Sequence, residues 1–157
     1  MNTTEKSSES RSSVRNRSRG RGRQLVLLDT NALLLPVGRH FPLESEVERL
    51  RPGSVIEVPS SVAGELDRLV ARGVVGARAA RDLATRFPTL AAPGRGDRAV
   101  LDAATSLGAC VVTADRAFAE ELHQRGVDVL APRDREHLEL RRGRRTGRGS
   151  ERRGAAE

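Results

Sequence analysis

Residues 24–35 read QLVLLDTNALLL: Gln24, the aliphatic run Leu25–Leu28, then Asp29, Thr30 and Asn31, then Ala32 and three leucines. The run at 25–28 has the length of a β-strand. An ionised carboxylate set into such surroundings costs several kcal/mol unless it is paired, hydrogen-bonded or bound to a metal. Asp29 is therefore the first residue that needs an explanation. Its place directly after a buried strand supplies one, because ligands of open parallel α/β sheets bind beyond the carboxyl ends of the strands.

Outward from this stretch, short apolar runs alternate with helical periodicity. A turn is expected after the run at 25–28, then helical periodicity around 43–50. VIEV at 55–58 reads as a strand closed by Pro59, and Ser60 or Ser61 can cap the helix that follows, up to Gly73. Val62, Leu66, Leu69 and Val70 share one face of that helix. A helix over 76–87, a strand at 89–92 and a helix from Asp97 to about Leu107 come next. Strands at 110–113 and 127–130 enclose a helix ending on Gly126, and HLEL at 137–140 is a short terminal strand. Strands alternating with helices imply a parallel sheet between helix layers.

The chain has 157 residues, enough for one domain with a proper core. No apolar run reaches the roughly 18 residues of a membrane span, so no membrane partner is expected. The N-terminus lacks the apolar core of a secretory leader. The single cysteine, Cys110, excludes an internal disulfide framework and reads as a small buried hydrophobe, and a reducing, cytoplasmic compartment is expected. The net charge of +7 is unevenly spread. Residues 1–24 hold seven basic residues against two glutamates, as do residues 141–157, a net of +5 each. The body, 25–140, is left with −3. Both ends are rich in Arg, Gly and Ser and read as disordered arms. Their guanidinium groups, among them Arg19, Arg21, Arg23, Arg141, Arg142, Arg144 and Arg145, are suited to nucleic-acid phosphates.

Asp29 and Asp115 follow two different strands onto the same sheet edge. Asp97 opens the helix leading into CVVT, and Glu65, in the first turns of the helix after VIEV, can lean back toward that edge. Each acid also has a purely structural use. Asp97 and Asp115 can cap helices, and Glu65 can be an ordinary solvent-facing residue. Their joint placement favours a site. Two carboxylates about 4 Å apart repel by roughly 4 kcal/mol at an effective dielectric of 20, so four cannot all stay ionised without a cation. Hard oxygen donors with no Cys or His nearby select Mg²⁺ or Mn²⁺. Such an ion suits water attack on a phosphodiester. His40, His123 and His137 have no spacing of a zinc set.

LLDTNALLLP, VIEVPSSVAGELDRL, the segment from GRGDRAVLDAA through VVTADRAFAEELHQRGVDVL, and REHLEL together resemble the PIN domain family of ribonucleases over roughly 25–140. The similarity is to the archaeal branch related to ribosomal-RNA-processing nucleases more than to the toxin branch. It implies a three-layer α/β/α sandwich around a mostly parallel sheet of about five strands. It also implies Mg²⁺- or Mn²⁺-dependent cleavage of single-stranded RNA, with a ribosomal RNA precursor as one such substrate, and domains of this kind often form homodimers. By motif position Asp29, Glu65, Asp97 and Asp115 would bind metal, with Thr30, Asn31 and Thr113 supporting them by hydroxyl or amide. Arg98 stands where many relatives carry a further acid, and would contact phosphate or weaken the metal site. That departure leaves open a second expectation, a catalytically weak RNA-binding or ribosome-assembly factor. A toxin ribonuclease of a toxin–antitoxin pair is a third.

Overall fold

A computed structural model describes residues 23–145. The expectations for Arg19, Arg21 and most of both basic arms lie outside the described residues.

Leu25–Leu28 form β1, buried at every position, as an interior parallel strand covered on both faces requires. The other elements are α1 (Thr30–Leu34), α2 (Leu43–Leu50), β2 (Val55–Pro59), α3 (Ser60–Ala71), α4 (Ala77–Ala84), β3 (Thr89–Leu90), α5 (Gly96–Leu107), β4 (Cys110–Val112), α6 (Arg116–Gln124), β5 (Val129–Pro132) and β6 (Leu138–Arg141). One sheet holds six strands in the order β3-β2-β1-β4-β5-β6. All neighbours are parallel except β5 and β6. Helices flank it, and the core between the layers is built from Leu27, Leu28, Leu33, Leu66, Phe118, Leu122 and Leu130, all fully buried. Cys110 is a free, buried thiol within β4, and burial pushes it up to about 11.

The α/β sandwich expected from the alternation is present, with one strand more than the expected five. Several local expectations are corrected. The turn expected after β1 is the short helix α1. Neither serine caps α3: Ser60 Oγ accepts from Ala92 N at 2.8 Å and donates to Ala92 O at 3.1 Å. This bond also ends β3 after two residues, because Ala92 spends its backbone groups on a side chain. β5 starts two residues later than expected because Val127 N donates back to Leu122 O at 2.9 Å, completing the end of α6. The body also runs past 140. Arg141 is the last residue of β6, Gly143 N donates to Asp128 Oδ1 at 2.8 Å, and Arg144 N donates to His123 O at 2.8 Å. At Gly143 a Cβ would stand 2.3 Å from the Gly126 carbonyl carbon, so the two backbones meet at a distance only glycine allows.

The edge strand β6 is covered by α2. Glu46 Oε1 accepts from Leu138 N at 2.8 Å, and Arg49, which binds Glu46 through two nitrogens, donates to Leu138 O at 2.8 Å. A strand edge that would otherwise offer free donors and acceptors is thus closed by two side chains. At the other end of the sheet strands, Gln24 precedes β1. Arg51 donates to Gln24 Oε1 and pairs with Asp128, which in turn holds Gly143. Both arms therefore leave the body close together, beside the amino ends of the strands.

Candidate active site

The chain builds β1, β2 and β3 to one side, then crosses to β4 on the other side of β1. The order reverses between β1 and β4, and such sheets bind ligands at this switch point, beyond the carboxyl ends of the strands. Asp29 leaves β1 at this point with its own N–H on Val112 O at 3.1 Å, and Thr113 leaves β4 with its N–H on Leu130 O at 3.1 Å. The ladder thus brings both residues to that edge. Thr113 Oγ1 donates to Asp29 Oδ2 at 2.6 Å, the short distance of a hydroxyl on a carboxylate. The same oxygen accepts from Asp115 N at 3.1 Å, so one buried hydroxyl fixes two acids from different strands.

Asp29 is 4% exposed. Burial pushes its carboxyl up to about 6, against the lowering effect of Thr113; Asp97 adds to the rise, and the amides of Thr30 and Asn31 oppose it. Thr30 is buried beside it and donates Oγ1 to Glu65 Oε2 at 2.8 Å, which ties α1 to α3. Asp97, at the start of α5, also has a raised pKa, from partial desolvation first and then from the charges of Asp115, Glu65 and Glu121. Asp115 caps α6, its Oδ1 accepting from Phe118 N at 3.1 Å.

The four acids singled out in the sequence thus lie in one electrostatic neighbourhood. Asp29 and Glu65 are held by threonine hydroxyls, Asp115 is committed in part to its helix cap, and Asp97 is open to solvent. They form an open cluster. Among the described residues no three His, Cys, Asp or Glu side chains are near enough together to enclose an ion. Asn31 is half-buried and enters through its backbone amide. Arg98 is turned along α5 onto Asp102, 3.3 Å away, with both side chains about two-thirds exposed. Its charge is not among those that act on Asp97.

Glu121 was missed by sequence reasoning. Nothing in RAFAEELHQRG separates it from Glu120, which accepts from Gln124 Nε2 at 2.9 Å; only the fold brings the charge of Glu121 to act on Asp97. Also missed is a groove of about 390 Å³ lined by Thr113 and Asp115 and by Arg39, Arg116, Arg133 and Arg141. These arginines are scattered over four segments, and only Arg141 fell in a stretch whose composition suggested a role.

A family model described as a PIN-like domain matches residues 26–135. Among solved structures the chain is similar to the PIN domain endonuclease Utp24, with a TM-score of 0.61 and 19% identity over 78% of this chain and 96% of that one. A PilT N-terminus domain protein from the hyperthermophilic archaeon Sulfolobus solfataricus P2 gives a TM-score of 0.41 and 13% identity, over 69% and 87% of the two chains. No curated protein matches by sequence. The first of these structures has the same fold, which accounts for 96% of its length.

Proposed function

Because the chain belongs to the PIN-like domain family, whose members are generally nucleases, we propose that it is a metal-dependent endoribonuclease that cuts single-stranded RNA by water attack on a phosphodiester. The observation that carries this reading is the buried Asp29 at the switch point, held by Thr113 and facing the charge of Asp97, which in turn faces Asp115 and Glu65.

By the chemistry of its groups the donor set suits a hard divalent cation of the kind that binds through one or two carboxylates and keeps several waters. The groups are carboxylates without thiol or imidazole among them, and the pKa of Asp97 is raised by partial desolvation first and then by the neighbouring acids, whose charge a cation would offset. Asp29, Glu65, Asp97 and Asp115 are the residues that would hold Mg²⁺ or Mn²⁺. A bound ion would neutralise phosphate charge and acidify a water. The chain's own contribution is placement. Thr113 stops the Asp29 carboxylate from rotating and orients the backbone that carries Asp115. Thr30 does the same for Glu65. The burial of Asp29 excludes bulk water from one side of the cluster, which strengthens every charge interaction within it. Ribosomal RNA precursors are the substrate class that the resemblance of the motifs favours.

The test is cleavage of a labelled single-stranded RNA by the purified chain with Mg²⁺ or Mn²⁺, with EDTA, and with Asp29→Asn. Cleavage is expected only for the wild type with metal. Equal rates for wild type and Asp29→Asn would remove the acid cluster from the reaction.

A further inference from the structure

We propose that the groove walled by Arg39, Arg116, Arg133 and Arg141 is the channel that holds the phosphodiester backbone of single-stranded RNA beside the acids, without reading its sequence. The inference rests on the nuclease reading for its substrate and goes beyond it in assigning the path of the strand. Three observations carry it.

The first is continuity. Thr113 and Asp115 line the groove, so a polyanion lying in it meets the hydroxyl that holds Asp29 and one of the four acids. A second depression of about 420 Å³, lined by Glu65, Arg68, Arg72 and Gly96, also holds one of the acids beside two arginines.

The second is availability. Arg116 has no ion pair or hydrogen bond to other described residues. Arg39 uses only Nε, on Leu35 O at 3.0 Å, which pins its guanidinium to the wall with its other donors free. Arg133 and Arg141 pair with Asp134 at 3.5 Å and Glu139 at 2.9 Å, but these pairs are solvent-exposed. Such pairs contribute little and exchange readily for phosphate. Against the four arginines the groove has two acids, Asp115 and Glu139, so its wall is net cationic inside a body whose overall charge is negative.

The third is the lack of a stacking platform. Single-strand binders usually combine a basic groove with exposed aromatic side chains on which bases stack. This chain has three Phe and no Trp or Tyr. Phe41 and Phe118 are buried, and Phe87 is half-buried against the core. Binding by the body therefore depends on backbone phosphate.

The full chain is titrated in EDTA against fluorescent single-stranded oligoribonucleotides of different sequence, at several salt concentrations. For Arg116→Ala/Arg133→Ala the salt slope is expected to become shallower by about 1.4, two contacts at roughly 0.7 each, with about 25-fold weaker binding at 0.1 M salt. The charge-keeping pair Arg116→Lys/Arg133→Lys keeps most of the slope. The control Arg78→Ala/Arg125→Ala, exposed arginines outside both hollows, binds like wild type. Wild-type affinity should change only a few-fold among sequences of equal length. The proposal is overturned if the groove variant behaves like the control, if the oligonucleotide does not bind, or if one sequence is preferred by orders of magnitude. The two readings fail separately. A chain that cuts RNA while its groove variant keeps the wild-type slope loses the groove alone. A chain whose binding collapses in the groove variant, but which never cuts, loses the nuclease alone.

Discussion

Asp29 carries a proton more tightly in the fold than in an open chain, since burial moves its carboxyl from 3.8 to about 6. The folded state is favoured while the group is protonated. Stability is fullest below about pH 4 and falls as pH rises toward 6. Above that the deficit is constant, on the order of 3 kcal/mol for a shift of this size. Asp29→Asn keeps the shape and an acceptor for Thr113 while removing the charge. In EDTA it should melt higher than wild type above pH 6, and the gain should vanish below about pH 4; equal melting temperatures throughout would mean that Asp29 is not buried as charge. With Mn²⁺ added, wild type alone should gain, because a cation that binds only the folded state stabilises it. Thr113→Val removes the 2.6 Å donor and should push the acid limb of the pH–rate profile upward, at a stability loss of about 2 kcal/mol, with Thr113→Ser restoring both. Asp29 was legible in the sequence because a carboxylate in an apolar run is costly and demands a use. Glu121 was not, because its charge acts on Asp97 only through the fold.

The clasp between α2 and β6 holds the edge of the sheet. Glu46, buried and bonded by Arg49 first of all and also by the Leu138 amide, has its carboxyl lowered from 4.5 to about 2. Its contribution is therefore complete above pH 4.5 and is lost as pH falls through about 2. Glu46→Ala should lower stability near neutral pH by about 2 kcal/mol and expose the β6 amides to hydrogen exchange before those of β1. Gly143→Ala forces a Cβ into the Gly126 backbone and should detach residues 142–145 from α6, with a loss of about 1–3 kcal/mol in chemical denaturation. If its stability matches wild type, that backbone contact is not maintained in solution. At this scale the strands and long helices were legible from periodicity, since apolar runs and helical faces are local. The exceptions were decided by partners distant in the chain. Ser60 left its cap for Ala92, and β5 started late because Val127 closes α6. The end of the body was misplaced because an Arg-rich composition gives no sign that Gly143 and Arg144 meet Asp128 and His123.

At the scale of the molecule, strand order assembles the cluster. Asp29 and Asp115 are 86 residues apart in the chain, and they share one edge of the sheet only because β4 is inserted beside β1. The alternation of strands and helices showed that the sheet is parallel, but not which strands are neighbours, and so the basic groove between the ends of β4, β5 and β6 had no signature. No helix among the described residues is long and apolar enough to cross a membrane. The basic ends were read as suited to nucleic-acid phosphates, and Gln24 and Gly143, where the described body meets them, lie beside the amino ends of the strands, at the opposite pole from Asp29. Five residues of extended chain, about 16 Å, separate Gln24 from Asp29. The two points at which the described body ends therefore lie at the pole of the sheet away from the acids. Removing residues 1–22 and 146–157 should leave kcat/KM on short oligonucleotides unchanged and raise KM on long RNA.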